Sequence, residues 1–125
     1  MKSLLKSTFL YFNKIKVVHS LPGRLRLSVP GLNQVPEEFK KFEPNLTKLI
    51  KLVGGVEEVT YSYVTHKVLL KYNPKKVTEK DILNWIDLVW KEVVKKESAI
   101  DEDNIEKQLP EIYEEIKKSL ITQKG

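Results

Sequence analysis

Apolar and polar positions change period along this chain, and the changes mark out its elements. Leu25, Leu27 and Val29 alternate with Arg24, Arg26 and Ser28, the two-residue period of a half-buried strand. Ile15, Val17, His19 and Leu21 have the same parity, so one long strand over residues 15–29, kinked at Pro22-Gly23, keeps all these positions on one face. A two-residue hairpin at Pro22-Gly23 would instead set Leu21 against Arg24 and His19 against Arg26, splitting that face. A Pro-Gly type II turn also has the wrong twist for a tight hairpin. The long strand is therefore expected, with Pro22 at an edge or at a break in pairing.

Residues 30–36 (PGLNQVP) read as a loop. Phe39, Phe42, Leu46, Leu49, Ile50 and Val53 then recur at helical spacing, with a main helix from Pro44 or Asn45 and a glycine stop at Gly54-Gly55. Strand alternation returns: Val59, Tyr61 and Tyr63 face in, a turn spans Val64–Lys67, and Val68, Leu70 and Tyr72 face in until Asn73-Pro74. Thr78 is a helix N-cap with Asp81 at the reciprocal position. The helix it starts runs to about Lys96, with a stripe of Ile82, Trp85, Ile86, Val89 and Val93. Leu83 and Trp90 widen that stripe and point to a contact beyond the sheet.

Both flanks carry amphipathic patterns. In residues 1–14, Leu4, Leu5, Phe9, Tyr11 and Phe12 share one helical arc, with Lys2 and Lys6 on the other side. Such a cationic helix suits a membrane surface or a partner, and equally suits packing on its own domain. In residues 97–125 a charged break (ESAIDED) precedes Ile105, Leu109, Ile112, Ile116 and Leu120 at helical spacing, with Pro110 suited to a helix start. The apolar stripe of this tail needs a cover: the open sheet face, a second copy, or another protein. The chain thus divides into a 1–14 segment, a 15–96 domain and a 97–125 acidic tail.

Composition narrows the chemistry. The 125 residues include no cysteine, which excludes disulfides, zinc knuckles and thiol catalysis, and Met1 is the sole methionine. The net charge of +5 is unevenly spread: residues 1–36 hold six bases and no acid, whereas residues 97–125 hold four bases and eight acids. No apolar run has membrane-spanning length, and Lys6 interrupts the only signal-like stretch, so a cytoplasmic protein, peripheral to a membrane at most, is expected.

The order strand, helix, strand, strand, helix is most of an α+β, ferredoxin-like βαββαβ sandwich, with no fourth strand evident after the second helix and helical extensions at both ends. Gly55-Val56-Glu57-Glu58-Val59, Tyr61, Thr65, Val68, Leu70, Tyr72-Asn73-Pro74 and Val77-Thr78-Glu79-Lys80-Asp81-Ile82 resemble the second half of a heavy-metal-associated domain. Residues 17–27 (VVHSLPGRLRL) are similar to its divergent branch, found at the N-termini of metal-transporting P-type ATPases and as small stand-alone proteins. The resemblance covers about residues 15–95. It implies a Met-x-Cys-x-x-Cys metal loop after the first strand, but that loop is Pro30 to Pro36 here and has no thiol. Without a fourth strand, the first becomes an edge that a second molecule can complete.

A metal-binding chaperone would have to use His19, His66 and carboxylates. The topology puts the two histidines at opposite ends of the sheet, His19 on the core face and His66 exposed in a turn where the resembled family has glycine. No nucleophile–base pair or phosphate loop is present, so no enzyme is expected. Nucleic-acid binding through a basic sheet face is an alternative. Against it, the tyrosines face the helices, and Arg24, Arg26, Lys67, Leu69 and Lys71 face out. The expected role is a cofactor-free adaptor in metal-ion homeostasis, acting by protein contact beside a metal-transporting P-type ATPase. Arg24 and Arg26 would meet an acidic partner, and Leu4, Leu5, Phe9, Phe12, Lys2 and Lys6 a membrane or partner. Self-association would use the edge strand or the C-terminal helix.

Overall fold

The alternating runs form one antiparallel sheet of four strands, in a computed structural model that describes residues 15–30, 32, 40–96 and 104–124. The elements are β1 (Lys16–Leu21), β2 (Arg24–Ser28), α1 (Glu43–Lys51), β3 (Val56–Ser62), β4 (Lys67–Tyr72), α2 (Glu79–Lys95) and α3 (Ile105–Lys124). The sheet order is β1-β2-β4-β3, an α+β arrangement of the ferredoxin-like kind. The amphipathic 1–14 segment and most of the loop after β2 lie outside the described residues.

The expected single strand over residues 15–29 is two strands. Pro22-Gly23 closes a hairpin in which Leu21 faces Arg24 and His19 faces Arg26, the pairing that parity had argued against. Parity constrains a strand only where one face is buried, yet all six residues of β1 are exposed, so splitting its apolar positions costs little. Val18 is an extra residue in the ladder, and such a bulge adds the twist that a Pro-Gly turn lacks. Gly23 has φ +83°, and its carbonyl accepts the Tyr72 N–H at 2.9 Å. A Cβ there would lie 3.0 Å from the Tyr72 carbonyl oxygen, so the position is confined to glycine on two counts. His19 consequently stands exposed beside Arg26, not on the core face.

No strand follows α2 among the described residues, but the sheet is not short of one. β1 lies beside β2, the position that the last strand takes in a βαββαβ sandwich. The fourth place is filled from the N-terminal side.

Behind the sheet are two further layers. Leu25, Leu27, Val68 and Leu70 pack against Ile50 of α1 and Ile82 of α2. On the far side of those helices, Phe42, Leu49, Trp85, Val89, Trp90 and Val93 meet Ile112, Ile116 and Leu120 of α3. Among the described residues, the tail therefore covers the backs of α1 and α2 and not the outer sheet face. Trp90 supplies the contact beyond the sheet that its stripe predicts. α3 begins at Ile105, with Lys107 and Gln108 N–H groups bonded to the Asn104 carbonyl, so Pro110 sits inside the helix and does not start it. Glu92, only 4% exposed, accepts the Ser119 hydroxyl at 2.8 Å and Lys95 Nζ at 3.3 Å, and Lys96 pairs with Glu115 at 3.0 Å. The Ser119 and Glu115 ties fix the register of α3 against the end of α2.

Local signals fix the connections. Thr78 and Asp81 exchange capping bonds, 3.1 Å from the Asp81 N–H to Thr78 Oγ1 and 3.4 Å in return. Pro44 occupies the first turn of α1, and Gly54 and Gly55, both at positive φ, end it.

Candidate functional site

Strand pairing decides which side chains share a face, because directly paired residues point the same way. Leu21, Arg24, Lys71 and Glu58 form one row across the outer face. His19, Arg26, Leu69 and Thr60 form the next, and Lys16, Ser28, Lys67 and Ser62 the third. Five fixed cations, Lys16, Arg24, Arg26, Lys67 and Lys71, thus lie on one face against a single carboxylate among the paired positions. That carboxylate, Glu58, is 3.5 Å from Lys71, with both side chains about half exposed. In such a solvated pair the attraction is weak and leaves the surface potential positive. Half-buried Leu69 lies between Arg26 and Thr60, an apolar centre ringed by Arg24, Arg26, Lys67 and Lys71.

The structure brings together Arg24 and Arg26, named from the sequence, with Lys67 and Lys71. Lys16, His19 and Leu21 are additions that the long-strand reading missed, since it assigned β1 no place beside β2. The signal was present in Pro22-Gly23 itself. Lys2, Leu4, Leu5, Lys6, Phe9 and Phe12 lie outside the described residues.

The inner face is occupied by packing. Tyr61 Oη lies 2.9 Å from Thr47 Oγ1, Tyr63 Oη donates to Glu43 at 2.6 Å, and Lys40 Nζ stands 4.8 Å from the centre of the Tyr63 ring. Burial pushes the Tyr61 phenol up to about 12; the Thr47 hydrogen bond opposes this and the Glu43 charge adds to it. A cavity of about 40 Å³, walled by Leu27, Val68, Ile50, Ile86 and Trp90 among others, is apolar and far smaller than the several hundred Å³ of a ligand pocket. With the tyrosines inside, the only ring that the paired outer positions offer is the His19 imidazole at the β1 edge, short of the set of central-strand aromatics on which bases stack.

Metal donors are scattered. The chain has no thiol, and no three His, Asp or Glu side chains cluster among the described residues. His19 lies in β1 and His66 in the β3–β4 turn, two strands across and about three residues along, roughly 14 Å by standard sheet spacings. His66 is half-buried, not exposed: it adopts φ +47°, its Nδ1 is enclosed without a hydrogen bond, and its carbonyl accepts the Val29 N–H at 2.8 Å. The donor set among these residues does not fit a tightly held ion.

No helix among the described residues is long and apolar enough to cross a membrane. No curated protein and no solved structure matches this sequence. The family model described as heavy metal associated domain 2, however, matches residues 6–123, nearly the whole length and including the strand–turn–strand–cap run from Gly55 to Ile82. The chain therefore belongs to the heavy metal associated domain 2 family.

Proposed function

We propose that this protein is a non-catalytic accessory domain in metal-ion handling that works by docking, through its cationic outer sheet face, onto an acidic protein surface. The observation that carries the reading is the gathering of Lys16, Arg24, Arg26, Lys67 and Lys71 around Leu69 on one open face. Family membership supports the metal-handling context. The lack of thiols and of a clustered donor set among the described residues supports docking in place of ion carriage. The partner would be a metal-transporting P-type ATPase or a similar membrane-bound protein, with this chain on the cytoplasmic side and peripheral to the membrane.

Pull-down from native membranes with the wild-type chain and with Arg24→Glu/Arg26→Glu tests this. The expected outcome is a metal transporter retained by the wild type, released by salt, and lost in the variant. Retention of nucleic acid in its place, or tight binding of copper, zinc or iron by the isolated protein at neutral pH, would overturn the reading.

A further inference from the structure

The two edges of the sheet differ. β3 carries Glu57 and Glu58, charges of the kind that discourage pairing with another chain. β1 reads KVVHSL, is paired on one side only among the described residues, and carries a single fixed charge, Lys16, at its end. Val17, Val18 and Leu21 on this one short strand are 40%, 50% and 50% exposed. They are three of the five large apolar side chains most exposed among the described residues.

The bulge gives this edge an unusual symmetry. Lys16, His19 and Leu21 are paired across from outer-face residues, Val17 and Ser20 from inner-face ones. Val18 has no partner of its own in the ladder; as the extra residue of a bulge it sets two residues, itself and His19, against Arg26 and shares the His19 side. The face pattern along β1 is therefore outer, inner, outer, outer, inner, outer, and it reads the same in both directions. A regular six-residue strand alternates strictly and cannot do so.

From this we infer that β1 pairs antiparallel with β1 of a second copy about a twofold axis between Val18 and His19. Full overlap sets Lys16 of each copy against Leu21 of the other and Val17 against Ser20, so inner residues meet inner and outer meet outer. The fixed charges lie at opposite ends of the new ladder, which removes the direct like-charge pair that would oppose self-association. The interface is isologous and closes after two copies. It joins two four-stranded sheets into one of eight strands and makes their cationic faces continuous. This inference stands on the strand alone and not on the docking reading.

Analytical ultracentrifugation of the purified full chain over a micromolar concentration series tests it. The expected result is a doubling of mass with concentration, reverting to the monomer mass in Val18→Lys and in Leu21→Lys. Near-ultraviolet circular dichroism from Trp85 and Trp90, which are buried in the α3 seam, should be unchanged in both variants. Because the chain has no cysteine, Val18→Cys beside the axis should form an intermolecular disulfide on mild oxidation at dilutions where Thr65→Cys in the far turn does not. A monomer at every concentration, a dimer that persists in both lysine variants, or equal cross-linking from positions 18 and 65 would overturn the pairing. Loss of the transporter in the Arg24/Arg26 variant with the dimer intact would separate this result from the docking test.

Discussion

Tyr61 ties its strand to α1 through Thr47 and has its phenol pushed up to about 12, mainly by burial. Its folded value lies above the ordinary value of 10.0, so folding favours the neutral phenol. The stability this contributes is complete below about pH 10 and is lost as pH rises through about 12. An alkaline absorbance titration should show Tyr61 ionising late, together with unfolding, and Tyr61→Phe should remove that step. The same variant should lose about 1 kcal/mol in urea, since the part-buried Thr47 hydroxyl loses its partner. His66 offers the opposite case. It holds a left-handed φ of +47° that costs a side-chain-bearing residue about 1 kcal/mol, and its Nδ1 is enclosed without a partner. His66→Gly should therefore raise the urea midpoint, by about 0.5 kcal/mol in stability once glycine's extra unfolded-state entropy is counted. A lower midpoint would show that imidazole packing outweighs the strain.

At the scale of elements, α3 is held by an apolar seam in which Ile116 and Leu120 are fully buried against the backs of α1 and α2. Ile116→Ala should cost about 2–5 kcal/mol, the range for emptying a buried aliphatic site. Trp85 and Trp90 line that seam, so their fluorescence should report the change directly in a urea titration. Most elements were legible in the sequence because each carried both a period and a terminator. β3 from Val59 onward and β4 place their inward residues two apart and stop at Asn73-Pro74, and α2 opens on the Thr78–Asp81 exchange that the structure contains. The hairpin signal at Pro22-Gly23 was overruled by parity for a specific reason. Parity predicts strand faces only where one face is buried, and β1 buries neither. The start of α3 was missed because a proline marks a helix start only when no good cap precedes it, and Asn104 does. The candidate site inherited the hairpin error: Arg24, Arg26, Lys67 and Lys71 could be placed outward by alternation, but Lys16, His19 and Leu21 join them only once β1 folds back.

For the molecule as a whole, fixed charge is one-sided. The outer sheet face is cationic, whereas α3, which covers the other side, balances its acids with an equal number of lysines. The filling of the fourth sheet position from the N-terminal side has a further consequence, in the time order of folding. In a βαββαβ chain the last strand returns to the first over nearly the whole domain, the most non-local pairing in the fold. Here all four strands lie between Lys16 and Tyr72, and the edge is added by a two-residue turn. Loop closure is cheap at that length, so contact order falls. During synthesis the sheet's full hydrogen-bond ladder is available before α2 has left the ribosome, with α2 and then α3 arriving as successive covers on a surface already assembled.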